Sequence, residues 1–229
     1  LVNLFTDILF SYLSLCQETC NLTLPGNIHL LKRGPALMWC VFFSHPNAFT
    51  PVCTTELGKV AQLIPEFIKR NVKVIGCSCD PVDVQNKWIE DIKSYSDIES
   101  ESFPYPIIAD ESRSLAVQLG MIDPVEKNKE GLPVTCRAVF IIDSRKKLRA
   151  SILYPATTGR SFSEILRVID SLQLTDKKQV ATPVDWKDGD NCMVLPTLTD
   201  EEATKLFPSG YTTIPVPSEK TYIRITSQP

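Results

Sequence analysis

The sequence predicts an α/β fold followed by a small C-terminal domain, and three observations carry that prediction. Trp39-Cys40-Val41-Phe42-Phe43 is apolar without alternation, as a strand covered on both faces requires. The segments after it follow the order βαβ and then ββα, which fits a thioredoxin-like sheet. Composition then shifts near Thr175: six prolines (183, 196, 208, 215, 217 and 229) fall in the last 55 of 229 residues.

Taken in order, Thr50-Pro51 reads as a helix N-cap with proline at the first helical position. Leu57, Val60, Ala61, Ile64 and Ile68 supply an apolar helical face, and Pro65 is expected to kink the helix by removing the bond to the Ala61 carbonyl. Residues 71–79 read as a buried strand through Val72, Val74 and Ile75. Val84, Trp88, Ile92 and Tyr95 form the next helical face. Residues 107–109 are a short strand, and Ser114 to Leu119 a short helix stopped by Gly120. Strands over 138–142 and 148–153 form a hairpin whose turn carries the basic cluster Arg145-Lys146-Lys147-Leu148-Arg149. Ser161-Phe162-Ser163-Glu164 reads as a capping box opening a helix with Phe162, Ile165, Leu166, Ile169 and Leu172 on one face. Thr199-Asp200-Glu201-Glu202 opens one last helix, ending before Pro208.

Composition excludes several classes of function. Hydrophobic content of 43% and charged content of 22% are those of a globular protein, and a formal charge of −3 gives no electrostatic case for nucleic acid. The basic cluster is a solvated turn. Residues 1–15 are apolar but interrupted by Asp7, too short for a membrane span and without the basic start of a signal peptide. The chain opens at Leu1 rather than Met, as a processed or incomplete chain does. Asn21-Leu22-Thr23 is a glycosylation sequon, meaningful only in a secreted protein. Eight cysteines (16, 20, 40, 53, 77, 79, 136 and 192), several inside apolar runs, point to buried thiols in a reducing compartment. With only His29 and His45 as histidines, no zinc ligand set has familiar spacing.

Chemistry concentrates at Cys53. In the first turn after Thr50-Pro51 its sulfur lies among backbone N–H groups that lack intrahelical partners, at the positive end of the helix dipole. That setting favours the thiolate, which is the nucleophilic form. The strand-to-helix crossing is also where open α/β sheets gather their sites.

These residues carry a resemblance. His45-Pro46 followed by Thr50-Pro51-Val52-Cys53-Thr54-Thr55-Glu56 resembles the active-site loop of the peroxiredoxins, in the form of their 1-Cys branch, the peroxiredoxin-6 type. The likeness continues through Pro106-Ile107-Ile108-Ala109-Asp110, Gly131-Leu132-Pro133-Val134-Thr135, Tyr154 to Arg160, and Ala181-Thr182-Pro183-Val184-Asp185-Trp186, and so covers roughly residues 40 to 229.

The resemblance implies a divergent N-terminal segment (1–35), a thioredoxin-like peroxidase domain (36–174) and a C-terminal 1-Cys peroxiredoxin domain (175–229). It implies a thiol peroxidase acting on hydrogen peroxide and on organic or lipid hydroperoxides, with Cys53 passing through sulfenic acid. Thr50 would meet the peroxide, and Arg137 would stabilise the thiolate and hold the peroxide oxygens. His45, Pro46, Glu56 and Arg160 would support them. No second Val-Cys-Pro motif follows and Cys192 sits in another context, so an external thiol such as glutathione is the implied reductant. Among Cys40, Cys77, Cys79 and Cys136, packing roles compete with a resolving role. No prosthetic cofactor or metal is implied; a cytoplasmic homodimer is, without stable membrane insertion. The alternative is a catalytically impaired, redox-responsive binding protein or holdase.

Two departures stand out. Some relatives of this type also hydrolyse phospholipids with a serine in a Gly-x-Ser-x-Gly-like turn. Here that place reads Ala36-Leu37-Met38-Trp39-Cys40, the expected histidine falls near Leu31 or Lys32, and the aspartate aligns with Arg145, beside Asp143. Without its nucleophile such a triad cannot acylate, so no phospholipase activity is expected. Gln85 stands where relatives often have histidine.

Overall fold

The computed structural model describes residues 38–229. The readings made on residues 1–37, among them Cys16, Cys20, the Asn21 sequon and His29, lie outside these. The chain divides into two compact units, one ending at Phe162 and the other spanning Ser163–Pro229.

In the first unit β1 (Trp39–Ser44), β2 (Val72–Ser78) and β3 (Ile107–Ala109) run parallel, while β6 (Arg137–Ile142) and β7 (Leu148–Tyr154) are antiparallel, giving the order β3-β2-β1-β6-β7. Between them α1 (Pro51–Lys69), α2 (Val82–Tyr95) and α3 (Ser114–Gln118) follow β1, β2 and β3. β4 (Ile122–Lys127) pairs with β5 (Pro133–Thr135) as a separate ribbon. This is the thioredoxin-like order that the sequence predicts.

Every residue of β1 is buried, as its unbroken apolar run requires. Alternate side chains divide the sheet into two faces. Cys40, Phe42, Ile75, Cys77, Ile108, Ala138, Phe140 and Ile142 join Leu115, Ala116, Leu119 and Met121 in one core cluster. Val41 and Phe43 of β1 and Val139 and Ile141 of β6 are buried with the opposite parity.

Two helical stripes differ from the sequence pattern. In α1, Phe67 is buried and Ile68 is 67% exposed. The helix is closing there, with Asn71 at φ 55 turning the chain into β2, and the aromatic ring takes the last inward position. Pro65 lies inside this continuous helix on its exposed side. In α2, Gln85 and Ile89 are buried where Val84 and Tyr95 were expected, and Tyr95 is 65% exposed. The stripe is rotated because the Gln85 amide is anchored inside, donating to Ser78 Oγ at 2.9 Å and to the Asp80 carbonyl at 3.2 Å. An apolar-periodicity argument passes over such a residue.

Gly58 sets how closely α1 and α2 approach. A Cβ there would lie 1.8 Å from Ser96 Oγ, at the C-cap of α2.

The second unit holds α4 (Phe162–Lys177), whose first residue closes the first unit, and four short strands. β8 (Val180–Ala181), β9 (Cys192–Val194), β10 (Thr212–Thr213) and β11 (Arg224–Thr226) form an antiparallel sheet in the order β10-β11-β9-β8. The composition shift at Thr175 falls within the last turns of α4. Val180, Trp186, Cys192, Val194, Ala203 and Phe207 form this unit's core. The helix expected from Thr199 is α5 (Asp200–Leu206), and a capping box opens it: the Thr199 hydroxyl accepts from Glu202 N–H, and the Glu202 carboxylate accepts from Thr199 N–H.

Candidate active site

The site is assembled where β1 ends and α1 begins. Thr50 occupies the N-cap position with extended backbone, and Pro51 opens the helix. The hydroxyl does not cap the helix as the sequence predicts. It donates instead to the Asn47 carbonyl at 2.9 Å. The loop folds back on itself there, with Phe49 in the left-handed region at φ 54. A hydroxyl that donates backward keeps its lone pairs as acceptors.

Cys53 is the third helical residue and fully buried. Arg137, the first residue of β6, reaches it from the neighbouring strand: Nη1 donates to Cys53 Sγ at 3.2 Å and to Glu56 Oε2 at 2.7 Å. Its Nε and Nη2 donate to the Ala156 carbonyl at 2.9 and 2.6 Å. The guanidinium is thus held from two sides and presents one nitrogen to the sulfur.

Glu56, one turn after Cys53, accepts from both arginines. Arg160 donates to it from backbone N (2.7 Å), Nε (2.9 Å) and Nη2 (2.8 Å). Burial works against ionisation of Glu56, but the hydrogen bonds and charge of Arg160, with Arg137, outweigh it and hold the carboxyl below its ordinary range. Arg160 Nη1 also donates to the carbonyls of Ser44 and Ala138, and its guanidinium lies 5.1 Å from the Phe43 ring and 5.5 Å from that of Phe162. Its donors are committed to Glu56 and the strand ends, so its link to the cysteine runs through Glu56.

His45 is fully buried, 5.2 Å from the Trp88 ring between centroids, with neither ring nitrogen hydrogen-bonded. Burial, reinforced by the charges of Arg160 and Arg137, lowers its pKa to about 3. It is a neutral imidazole at physiological pH. Pro46 is buried beside it.

The structure therefore brings Cys53, Arg137, Glu56 and Arg160 into one hydrogen-bonded group, with Thr50 a turn away and His45-Pro46 in the wall. Sequence reasoning missed the braces. Trp88 Nε1 donates to Thr54 Oγ1 at 3.0 Å, and Tyr105 OH to the Leu57 carbonyl at 2.9 Å, both fixing the first turns of α1. Thr135 Oγ1 donates to the His45 carbonyl at 2.8 Å, and Ser44 Oγ to that of Cys136 at 2.7 Å. Asp80 Oδ2 accepts from Ala48 N–H at 2.9 Å, tying down the loop before Cys53. Of these, Trp88 had a sequence signal in its place on the helical stripe, and Thr135 in the Gly131–Thr135 motif, but neither was read as a brace.

The remaining thiols differ in setting. Cys40, Cys77 and Cys79 lie in the core cluster, and Cys136 packs against it. Burial pushes Cys40 and Cys79 up to about 12 and raises Cys136 and Cys192. Among the described residues no group of His, Cys, Asp and Glu is placed to hold a metal ion. No helix among them is long and apolar enough to cross a membrane.

A sulfur nucleophile with a fixed guanidinium N–H beside it and a hydroxyl one turn earlier can attack a small electrophile and stabilise the charge that leaves. Comparison with known proteins agrees with that chemistry. The AhpC/TSA family matches residues 27–151, and the C-terminal domain of 1-Cys peroxiredoxin matches residues 171–210. The chain is 61% identical to peroxiredoxin-6 of Bos taurus over 192 residues, 83% of this chain and 86% of the relative. It is 58% identical to the 1-Cys peroxiredoxin of Onchocerca volvulus over 197 residues, 83% and 85% of the two chains. A crystal structure of a mutant peroxiredoxin 6 of Arenicola marina superposes with a TM-score of 0.85 at 56% identity, covering 91% of this chain and 93% of that one. A structure of the yeast mitochondrial 1-Cys peroxiredoxin, described for thiol resolution via glutathione/thioredoxin systems, matches with a TM-score of 0.74 at 44% identity, covering 83% and 86%.

Proposed function

The chain belongs to the AhpC/TSA family, in its 1-Cys peroxiredoxin branch, and from that premise we propose that Cys53 is its single peroxidatic cysteine. The protein is a thiol peroxidase that needs no prosthetic group. In the proposed reaction the Cys53 thiolate attacks the terminal oxygen of hydrogen peroxide or of an organic or lipid hydroperoxide. The S–O bond forms as the O–O bond breaks, and water or an alcohol departs after taking a proton. Arg137 stabilises the charge on the oxygens, and Thr50 orients the peroxide as acceptor.

The observation that carries this reading is the Arg137 nitrogen shared between Cys53 and Glu56. It supplies a donor fixed before the substrate arrives. His45 stays neutral and Pro46 shields the pocket from water; Glu56 and Arg160 position the guanidinium.

The proposed reductant is an external thiol, glutathione in the first instance, and the yeast relative supports it. The burial that raises Cys40, Cys79 and Cys136 argues for packing rather than resolving roles. A reducing, cytoplasmic setting and a homodimer complete the reading; buried thiols in the core support the first. Phospholipase activity is not part of it. Met38 replaces the serine, and the Asp143 carboxylate is committed to the hairpin, accepting from the backbone N–H of Arg145 and Lys147 at 2.9 Å each. Lipid hydrolysis that a serine-directed inhibitor abolishes would overturn that point.

The test is stopped-flow mixing of reduced protein with hydrogen peroxide. One equivalent of sulfenic acid, lost in Cys53→Ser, is expected. A slow reaction spread over several cysteines would instead favour a redox-responsive binding protein.

A further inference from the structure

Three buried side-chain atoms find no hydrogen-bond partner among the described residues: Nδ1 and Nε2 of His45, and Oε1 of Gln85. Each such atom costs about 1–3 kcal/mol unless something answers it. The fold brings all three to one place. β1 and β2 run parallel with Ser44 opposite Cys77, and the ladder continues one step further, His45 N–H donating to the Cys77 carbonyl at 3.0 Å. His45 therefore stands beside Ser78, across a strand spacing of about 4.8 Å. Both project from the face that carries Phe43 and Gly76, opposite to Cys77. Gln85 reaches that same Ser78, its Nε2 lying 2.9 Å from Oγ. Trp88, one turn further along α2, lies 5.2 Å from the His45 ring. One helix face thus lays both Gln85 and Trp88 against His45.

The neighbours of the amide settle its orientation. Nε2 faces the Asp80 carbonyl at 3.2 Å and the Ile108 carbonyl at 3.4 Å, and neither can donate. Ser78 Oγ gives its own proton to Asp80 Oδ2 at 2.8 Å. Every neighbour on that side is an acceptor, so the NH₂ lies there and Oε1 points the other way. The result is a fixed acceptor, wholly buried, beside an imidazole that is neutral at pH 7. A neutral imidazole has one N–H and one bare nitrogen, and the groups they face decide which is which. The His45 backbone is anchored at Cys77 and by Thr135 Oγ1, but those bonds leave the ring free to choose.

We propose that Gln85 is a positioning residue of the Cys53 site: through one buried water its Oε1 receives the His45 ring N–H, and so fixes which nitrogen carries the proton in the pocket wall. The inference rests on the peroxidase reading and adds a residue to it. No hydrogen bond joins the two side chains directly, and a water can accept from the ring while donating to Oε1. The other end of the same amide also holds the loop before Cys53: Nε2 bonds Ser78, Ser78 bonds Asp80, and Asp80 Oδ2 accepts from Ala48 N–H at 2.9 Å. Gln85 thus has two routes to the cysteine, one through the ring and one through the loop, and they predict different kinetics.

The chain has two histidines, His29 and His45, so nitrogen NMR of reduced, histidine-labelled protein at pH 7 reads the ring directly, with His45→Phe identifying its signals. In the wild type one His45 nitrogen is expected at the N–H position and the other at the bare position. A fast-averaged pair overturns the proposal without any variant. Gln85→Met keeps the length of the side chain and removes the acceptor. It is expected to average the two His45 signals and to slow Cys53 oxidation by hydrogen peroxide about tenfold. In a His45→Phe background the same change is expected to slow oxidation by less than about twofold, because the ring it acts through is gone. Equal slowing in both backgrounds would assign Gln85 to the loop alone. That result, or an unchanged rate or His45 spectrum in Gln85→Met, overturns the proposal. Failure of wild-type Cys53 to form sulfenic acid overturns the peroxidase reading instead; the His45 spectrum, taken before peroxide is added, is decided separately.

Discussion

Arg137 donates from Nη1 to the sulfur of Cys53 across 3.2 Å, joining residues 84 positions apart in the chain. The contact exists because β6 lies beside β1 in the sheet, so the first residue of β6 starts where β1 ends. Sheet topology, rather than local sequence, brings a cation to the cysteine. The Ala156 carbonyl and Glu56 then remove the freedom the guanidinium would otherwise have.

The two-sided fixation predicts that Arg137→Lys is not conservative. Lysine carries one point of charge and cannot donate to Ala156, Glu56 and Cys53 in one plane. Peroxide oxidation of Cys53 should slow by about 10²–10³ in both Arg137→Lys and Arg137→Ala, with the far-UV spectrum unchanged. Stopped-flow kinetics on the two variants checks this; a lysine variant at the wild-type rate would mean that charge alone suffices.

Glu56 lies between two buried arginines, so replacing it by an isosteric amide leaves both cations without their anion. Glu56→Gln should cost about 3–5 kcal/mol of stability, the typical penalty for breaking a buried pair from one side. The carboxyl is held below its ordinary value of 4.5. Its contribution is therefore complete above that pH and is lost as pH falls through the lowered folded value. Urea unfolding of wild type and Glu56→Gln at pH 7 and pH 3.5 should show the difference between them shrinking at the lower pH.

His45 adds a loss of stability in the same direction, over a pH window of its own. Its pKa falls from 6.5 to about 3 on folding, chiefly through burial. Above pH 6.5 both states are neutral and nothing is contributed. Between the two values the unfolded chain binds a proton that the folded one does not, so stability falls as pH drops, by up to about 1.4 kcal/mol per unit. His45→Phe, which keeps a ring beside Trp88, should flatten that slope between pH 6 and pH 5. Equal slopes in the two proteins would show His45 is charged in the fold.

Much of this site was legible locally. The Thr50-Pro51 start and the first-turn place of Cys53 follow from chain-neighbour rules, and β1 announced itself by its apolar run. The arginines entered only through motif resemblance, because a strand-end arginine carries no local sign of its partner. Thr50 was misread for a related reason: the capping rule weighs the helix alone, whereas the hydroxyl found the Asn47 carbonyl of a folded-back loop. Gln85, Tyr95 and Ile68 show the same limit, since periodicity assigns apolar faces and cannot see a buried amide whose nitrogen donates to Ser78 and the Asp80 carbonyl.

Gly58 is where packing should reverse an ordinary helix rule. Alanine in place of a mid-helix glycine usually stabilises by about 1 kcal/mol, by restricting the unfolded chain and favouring helix. Here the added carbon would meet Ser96 Oγ at 1.8 Å and Ser96 Cβ at 2.8 Å. Ser96 has little room to yield, being buried, and its carbonyl accepts from Gln62 Nε2 at 3.1 Å. The helices must separate instead, so Gly58→Ala should destabilise by about 1–3 kcal/mol, as overpacking does. The disturbance begins five residues after Cys53, in the helix whose first turns Trp88 and Tyr105 brace, so peroxide oxidation should slow as well. Ser96→Gly removes both clashing atoms, and the double variant Gly58→Ala/Ser96→Gly should recover most of the stability and rate. Denaturant melts of the two single variants and the double variant decide the matter; a Gly58→Ala protein more stable than wild type would mean the two helices do not approach this closely.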